Sequence, residues 1–459
     1  MKPRRFFLFL AIGAVAFLTC ILSDARATET EKKFTLDECV EMALKFSPEI
    51  KETNQDVEIA RTRLDEAKAY FWPQLEALGL AAPVSDAKGN QVESSYSSDR
   101  IQGIGPFGSI DVSLVQPLYT FGKLSSAKEA ATHGIKVDES RVQQKATDVA
   151  LQVKQFYHGI AFANDGEKLV NEIDTYLESA LKRTRKLLEA ESEHATQLDL
   201  DKLEAFKGVV EKYRNKAVKS KILAKEALRA YMGLPRGTEM AIVDETLVPI
   251  DVDVQELEHY IQESQTLRPE ITQLKEGLAA KEALVDVAAA DYFPTLFVGA
   301  FYSYAYAPDR DRVTNPWIYD YANHQAGGVG VGLKWSLNFG ITTAKVDRSK
   351  AEVLKLKKTQ DFAETGIPLQ VEQSYRDLIE ARKNIDALET AQKAARKWMV
   401  GASSNYDLGI GTSKDLADAV VAYGTIKMDY LTSVYNFNMG YANLAQASGT
   451  SVLEVSNKY

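Results

Sequence analysis

Apolar positions along this chain follow two periods, and each period is used twice. Val329, Val331, Leu333, Trp335 and Leu337 share one face of an alternating run, while Gly328, Gly330, Gly332, Lys334 and Ser336 share the other. Leu296, Val298, Ala300, Tyr302, Tyr304 and Tyr306 alternate in the same way. Together with "QLEALGLAA" and "SIDVSLVQPLY", these runs predict four half-exposed strands, at about 74–82, 109–119, 295–306 and 327–337. After each strand pair the period changes. Val142, Ala146, Val149, Val153, Phe156 and Ile160 are spaced by four and three. Leu378, Ala381, Ile385 and Leu388 repeat the spacing in the second half. A sustained period of 3.5 specifies helices that wind around partners. From Leu124 to about Ala190 it predicts a helical stretch about 100 Å long if straight. Gly166 and Pro368 are expected to kink or break the two long helical stretches.

The duplication is visible in the residues themselves. "SPEI" at 47–50 leads to "FWP" at 71–73, and "RPEI" at 268–271 leads to "YFP" at 292–294. Pro48 and Pro73 are as far apart as Pro269 and Pro294, so the segments superpose with one offset and no gap. The strand exits also match, as "TFGKLSSAK" and "NFGITTAK". Each copy therefore reads helix, strand, polar connection, strand and two long helices, with a helix of roughly 40 residues leading up to Trp72. The first copy is placed at 28–235, a linker or equatorial segment at 236–255, the second copy at 256–450 and a short tail at 451–459. Pro73 and Pro294 sit where helix must become strand, a position proline tolerates far better than either interior.

Aromatics collect at the helix-proximal end of every strand: Phe71 and Trp72, Tyr119 and Phe121, Tyr292 and Phe293, Trp335 and Phe339. Such a girdle marks the rim of a membrane barrel. A soluble sheet packed on helices would alternate too, but has no reason to place aromatics at all four matching ends. The start of the chain reads as an export signal over 1–27. It has a basic start, the apolar run "FFLFLAIGAVAFLTCILS" and a small-residue site, "ARA". An uncleaved anchor is the alternative reading of that run. Cleavage after Ala27 removes four basic residues and one acidic one, taking the formal charge from −9 to about −12. So acidic a chain lacks the clustered Lys and Arg that nucleic acid requires. Only Cys39 would remain, so no internal disulfide is available.

Past the signal, no apolar run approaches the length of a spanning helix, so any membrane entry must use strands. Four strands cannot close. An open edge in lipid leaves backbone groups unsatisfied at several kcal/mol each. Several chains must then share one barrel: two would give the smallest known size, three a wider pore.

The paired "PEI…(F/W/Y)P" blocks, the "YTFGK" exit and "NYDLGIGTSKDLADA" at 405–419 resemble the TolC family of outer-membrane efflux and secretion channels. The likeness covers residues 34 to about 450. It implies a mostly α fold with membrane β: a homotrimer with a twelve-stranded barrel, four strands per chain, continued by a long periplasmic α-helical tunnel. It also implies docking onto a periplasmic membrane-fusion adaptor and an inner-membrane pump of the resistance-nodulation-division or ABC type. In that family each copy turns at the tunnel tip, and "YDLGIGTSKDLAD" matches the second-copy turn through Tyr406, Leu408, Gly409, Asp415 and Asp418. Asp415 and Asp418, three apart on a predicted helix, face the same way. Under three-fold symmetry they place six carboxylates around one opening, a gate attracting cations. Ordinary solvated helix acids are the competing reading. Asp199 stands where the family has a first-copy tip acid, and Ala195 and Thr196, with Leu408 and Gly409, are the expected adaptor contacts. The sequence departs from one version of the pattern in having Gly411 in place of an arginine and Glu193 in place of the first-copy tip glycine.

The five histidines are scattered and "GGVGVG" has the wrong spacing for a dinucleotide loop. There is no phosphate-binding loop, so no cofactor and no enzymatic role are expected, and energy must come from a partner. The leading reading is a passive outer-membrane duct for small molecules in a tripartite efflux system. The same duct could serve type I protein secretion. A periplasmic coiled-coil adaptor or scaffold is the alternative of another class.

Overall fold

The computed structural model describes residues 32–87, 101–192 and 195–450. The expected signal at 1–27 and the tail at 451–459 lie outside the described residues. In chain order the elements are β1 (Lys32–Phe34), α1 (Leu36–Phe46), α2 (Pro48–Ala69), β2 (Gln74–Ala87), β3 (Ile101–Tyr119), α3 (Lys123–Glu189) and α4 (Gln197–Tyr231). The second series is β4 (Met240–Ile242), α5 (Leu257–Leu267), α6 (Pro269–Ala289), β5 (Thr295–Tyr306), β6 (His324–Lys334), α7 (Ile341–Leu408) and α8 (Ser413–Ser448). The copies agree almost residue for residue: α3 and α7 have 67 and 68 residues, α4 and α8 have 35 and 36.

Two expectations are corrected. The helix leading to Trp72 is not one unit of about 40 residues but α1 and α2, broken at Ser47. The ring of Pro48 forces the residue before it out of the helical region, and Ser47 has ψ 125°. The second copy breaks identically at Arg268, ψ 130°, before Pro269. Conversely, α3 and α7 run through Gly166 and Pro368 as continuous helices. Gly166 is buried, with Met428 of α8 beside it, so packing holds the helix where propensity alone would weaken it. At 1.5 Å per residue α3 spans about 100 Å.

Both αL entries to these helices are glycines, Gly122 (φ 87°) and Gly340 (φ 99°), which turn the chain from strand into helix at no Cβ cost. Along α3, one half packs on α2 and α6 and the other on α4 and α8, while the first half of α7 packs on α6 and its second half on α8. Near the middle of α3, β1 and β4 form a small parallel pair, Lys32 opposite Met240. Phe34, Cys39, Val153, Tyr157, Leu228, Ile242, Leu378 and Leu444 fill the core there. A second core, with Leu177, Leu203, Met399, Leu416 and Tyr423, lies nearer the helix turns. No described helix is long and apolar enough to cross a membrane.

The remaining strands form one antiparallel sheet in the order β2-β3-β5-β6. β6 ends at Lys334, short of the expected 337, because its last partner is Thr295 and the preceding Pro294 has no N–H to extend the ladder. At the other end the strands run longer than the sequence pattern indicates, β2 to Ala87 and β3 from Ile101.

Candidate functional site

Two regions of this elongated protomer carry its chemistry: the faces of the sheet and the turns at the far end of the helices. Directly opposed residues of paired strands share a face, so register sorts the sheet into two surfaces. One surface carries Leu296 opposite Leu333, Val298 opposite Val331, Val112 opposite Tyr302 and Leu75 opposite Leu114. The other carries Glu76 opposite Ser113, Asp111 opposite Ser303 and Thr295 opposite Lys334. There the Ser303 hydroxyl donates to Asp111 at 2.5 Å and contacts His324 Nε2 at 2.8 Å. The rings of Phe297 and Phe301 cover Gly332 and Gly328, so the glycine row makes room for aromatics from the next strand. The reverse also holds Leu78, Leu80, Phe297 and Phe301, but it is the surface that carries the charges Glu76, Asp111 and Lys334, and an apolar face with a charged reverse suits a strand set between lipid and water.

The eight rim aromatics gather at the helix-proximal edge of this sheet, all exposed in the protomer, Trp72 at 71 % and Phe339 fully. Phe121 stacks on Phe293 with centroids 5.0 Å apart and meets Tyr119 edge-on at 4.7 Å. Trp335 Nε1 donates to the Tyr292 carbonyl at 3.1 Å. Phe121 reaches its stacking partner from a left-handed backbone, φ 51°, uncommon for an aromatic residue.

At the opposite end, both turns are closed by the same device. Thr196 caps α4 and Thr412 caps α8, each in a reciprocal capping box with the residue three on, Asp199 and Asp415. Asp199 Oδ2 accepts from the Thr196 hydroxyl at 2.7 Å and Asp415 Oδ2 from the Thr412 hydroxyl at 2.6 Å. One oxygen of Asp415 is therefore committed to its own helix end, while Asp418 is exposed and makes no hydrogen bond or ion pair among the described residues. Asp199 also accepts a bond from the Ser413 hydroxyl, which ties the first turn to the second. Tyr406 is buried rather than lining an opening, and its hydroxyl meets that of Thr184 on α3. Deeper in, Glu172 accepts from Arg396 and from the Tyr423 hydroxyl, both at 2.8 Å, joining α3, α7 and α8.

Gly409 ends α7 in the left-handed conformation, φ 79°, with Arg183 Nη2 3.3 Å from where a Cβ would stand. In the first turn the left-handed residue is Glu191, φ 49°; Glu193, matched to the tip glycine by sequence, lies outside the described residues. The first turn is thus longer between its left-handed residue and its cap. Leu408 is exposed at the tip, and so are Leu198 and Ile410, which the sequence reading passed over; Ala195 is buried beneath them. Thr184 and Ser413 were also missed. Their signal was weak: the shared T-x-x-D spacing marks the caps, but nothing local marks a partner more than 200 residues away.

Partial burial pushes the Asp199 carboxyl up, but hydrogen bonds from Ser413 and Thr196, with the charge of Lys202, outweigh it and hold the group below its ordinary value of 3.8. Asp415 is lowered by the Thr412 hydroxyl and backbone. A carboxylate held low in the folded state contributes stability above its unfolded value and loses it as pH falls through the folded one. The turns are therefore expected to stay closed down to about pH 4 and to loosen below it. Backbone amide exchange at 195–199 and 409–415, compared at pH 6 and pH 3 after correction for intrinsic rates, checks this. Equal protection would refute it.

A chain with a two-faced open sheet at one end and long paired helices leading to capped turns at the other has the architecture of one subunit of a barrel-and-tube channel. The chain belongs to the outer membrane efflux protein family, whose pattern it matches over residues 39–200 and 260–450, one segment in each structural copy. It is an outer-membrane protein of an efflux family, not an enzyme. No curated protein sequence matches it significantly. Among solved structures it is similar to the outer membrane channel CmeC of Campylobacter jejuni, with 14 % identity over 90 % of this chain and 85 % of that one, TM-score 0.73. It is also similar to the outer membrane protein VceC of Vibrio cholerae, with 16 % identity, coverage of 90 % and 96 %, TM-score 0.71. A third is the open state of the MtrE outer membrane channel of Neisseria gonorrhoeae, with 15 % identity, coverage of 91 % and 89 %, TM-score 0.69. These likenesses concern the fold.

Proposed function

We propose that three copies of this chain form one exit duct, which passively conducts small molecules handed over by a periplasmic adaptor and an inner-membrane pump. The observation that carries this is the sheet. Its edge strands β2 and β6 pair with no further strand among the described residues, yet one face is apolar from edge to edge. In lipid such edges must be paired. Joining β6 of one copy to β2 of the next three times gives twelve strands, wide enough to leave an aqueous lumen. The polar face, with Glu76, Asp111 and Lys334, then turns inward. Leu408, Ile410 and Leu198 give the tips an apolar surface on which an adaptor can dock, and the pump supplies the energy.

Electron microscopy of the detergent-extracted mature protein tests the assembly. A three-fold hollow cylinder is expected; a compact monomer with full strand content would overturn the proposal. The tip acids supply a second test. Asp418→Asn with Asp415→Asn is expected to lower the cation preference of the reconstituted pore, with the larger share from Asp418, since Asp415 is engaged in its cap. Unchanged selectivity would remove both acids from the gate.

A further inference from the structure

The connection between β5 and β6, residues 307–323, does not stand away from the sheet. It crosses β3 and fastens on β2, two strands over. Arg310 pairs with Ala87 as an isolated bridge, and Asp311 N donates to the Ala87 carbonyl at 2.9 Å. The Arg310 guanidinium donates to the Ser85 carbonyl at 2.7 Å and lies 5.0 Å from the centre of the Tyr321 ring. Asp320 accepts from the backbone N–H groups of Val313, Ala322 and Asn323, and the Asn323 side chain reaches both Ala307 N and the Arg310 carbonyl. The segment is thus folded on itself and pinned at its far side.

The side it crosses is decided by register. Gly105 opposes Val84, which continues the row Glu76, Leu78, Leu80 and Ala82, so Gly105 belongs to the polar surface. A Cβ on Gly105 would lie 2.8 Å from the Asp309 Cβ, placing the crossing directly over that surface. Burial agrees: Gly105 is buried between exposed Ile104 and Pro106, and Ala305, on the same surface, is only 2 % exposed. Glycine at 105 leaves the space the crossing occupies.

We infer that residues 307–323 form a lid lying across the lumenal face at the outer mouth of the barrel, and that Arg310 is the latch setting the largest solute able to pass. The inference rests on the reading of the polar face as a lumen. Three copies would each contribute one crossing, and a passing solute must displace them or fit between them. The latch is the charge-assisted bond from Arg310 to the strand end, and the cation–π contact with Tyr321, inside the same segment, holds the guanidinium in place for it.

The test reads access to the lumen from outside, so that it does not depend on the state of the periplasmic tip. Gly330 lies on the lumenal face with open space around its Cβ position, and Cys39, the only described cysteine, is buried. Gly330→Cys is introduced alone and together with Arg310→Ala or Asp320→Ala, and trimers in intact cells are labelled with maleimides carrying polyethylene glycol of graded size. The small reagent is expected to label all three alike, while the larger polymers label the Arg310→Ala and Asp320→Ala variants roughly tenfold faster. Equal rates for every polymer in folded trimers would overturn the lid. If even the small maleimide fails to label Gly330→Cys, the polar face is not a water-filled lumen and the channel reading itself falls.

Discussion

Val331→Lys is expected to remove assembled trimers from the outer membrane. Val331 is 71 % exposed on edge strand β6, opposite Val298, with Val329 and Leu333 to either side on the same face. In the proposed barrel that face meets the hydrocarbon core, where a lysine costs about 2–4 kcal/mol at mid-depth, and the cost is incurred once per copy. The control is one residue away. Gly330→Lys places the same charge on the opposite face, into open space beside water, and is expected to assemble normally. Counting trimers in outer-membrane fractions of the two variants decides the matter. Equal assembly would mean that the alternation does not separate lipid from lumen.

Thr184→Val combined with Ser413→Ala is expected to open the periplasmic tip. These hydroxyls make two bonds that link the hairpins close to the turns, one to Tyr406 and one to Asp199. Removing them strands a buried phenol and takes a partner from a half-buried carboxylate, each worth about 1–3 kcal/mol. The bonds join α3 to α7 and α4 to α8, so losing both frees one hairpin to move against the other. Recordings from reconstituted trimers should show a rise in open probability of at least roughly tenfold, since about 1.4 kcal/mol of lost closed-state stability, less than the two bonds together, already gives that much. Thr184→Val with Tyr406→Phe, which removes both polar partners, should recover protomer stability without restoring the link. An intact trimer with wild-type gating in the first variant would show that the tip is held by other contacts.

These two variants probe features of different legibility. The alternation around Val331 is local, and both faces of β5 and β6 could be written down from residue order. The same holds for the length of α3, read from a 3.5-residue period, and for the duplication, read from two prolines at one spacing. The break at Ser47 obeys an equally local rule that the longer helical pattern obscured. The bonds of Thr184 and Ser413 are of another kind, because Ser or Thr with Asp or Tyr at a separation of more than 200 residues has no period to reveal it. Asp415 shows a third case: its spacing from Asp418 suggested a shared face, while the capping box that engages it was written three letters away, in Thr412. For a candidate gate this matters, since it leaves Asp418 as the acid with neither oxygen engaged among the described residues.

Residue order alone determined that this chain is two copies of one unit, that its helices are too long for a globular core, and that its sheet has a lipid-compatible face. Those properties follow from periods of 2 and 3.5, which a short stretch of backbone imposes without help from the rest of the chain. Folding decided which strand lies beside which, where β6 stops, how the turns are tied together, and that the β5–β6 connection crosses back over β3 to Ala87 and Ser85. Each of these depends on hydrogen bonds between distant backbone and side-chain groups, whose partners are chosen only when the whole chain has packed.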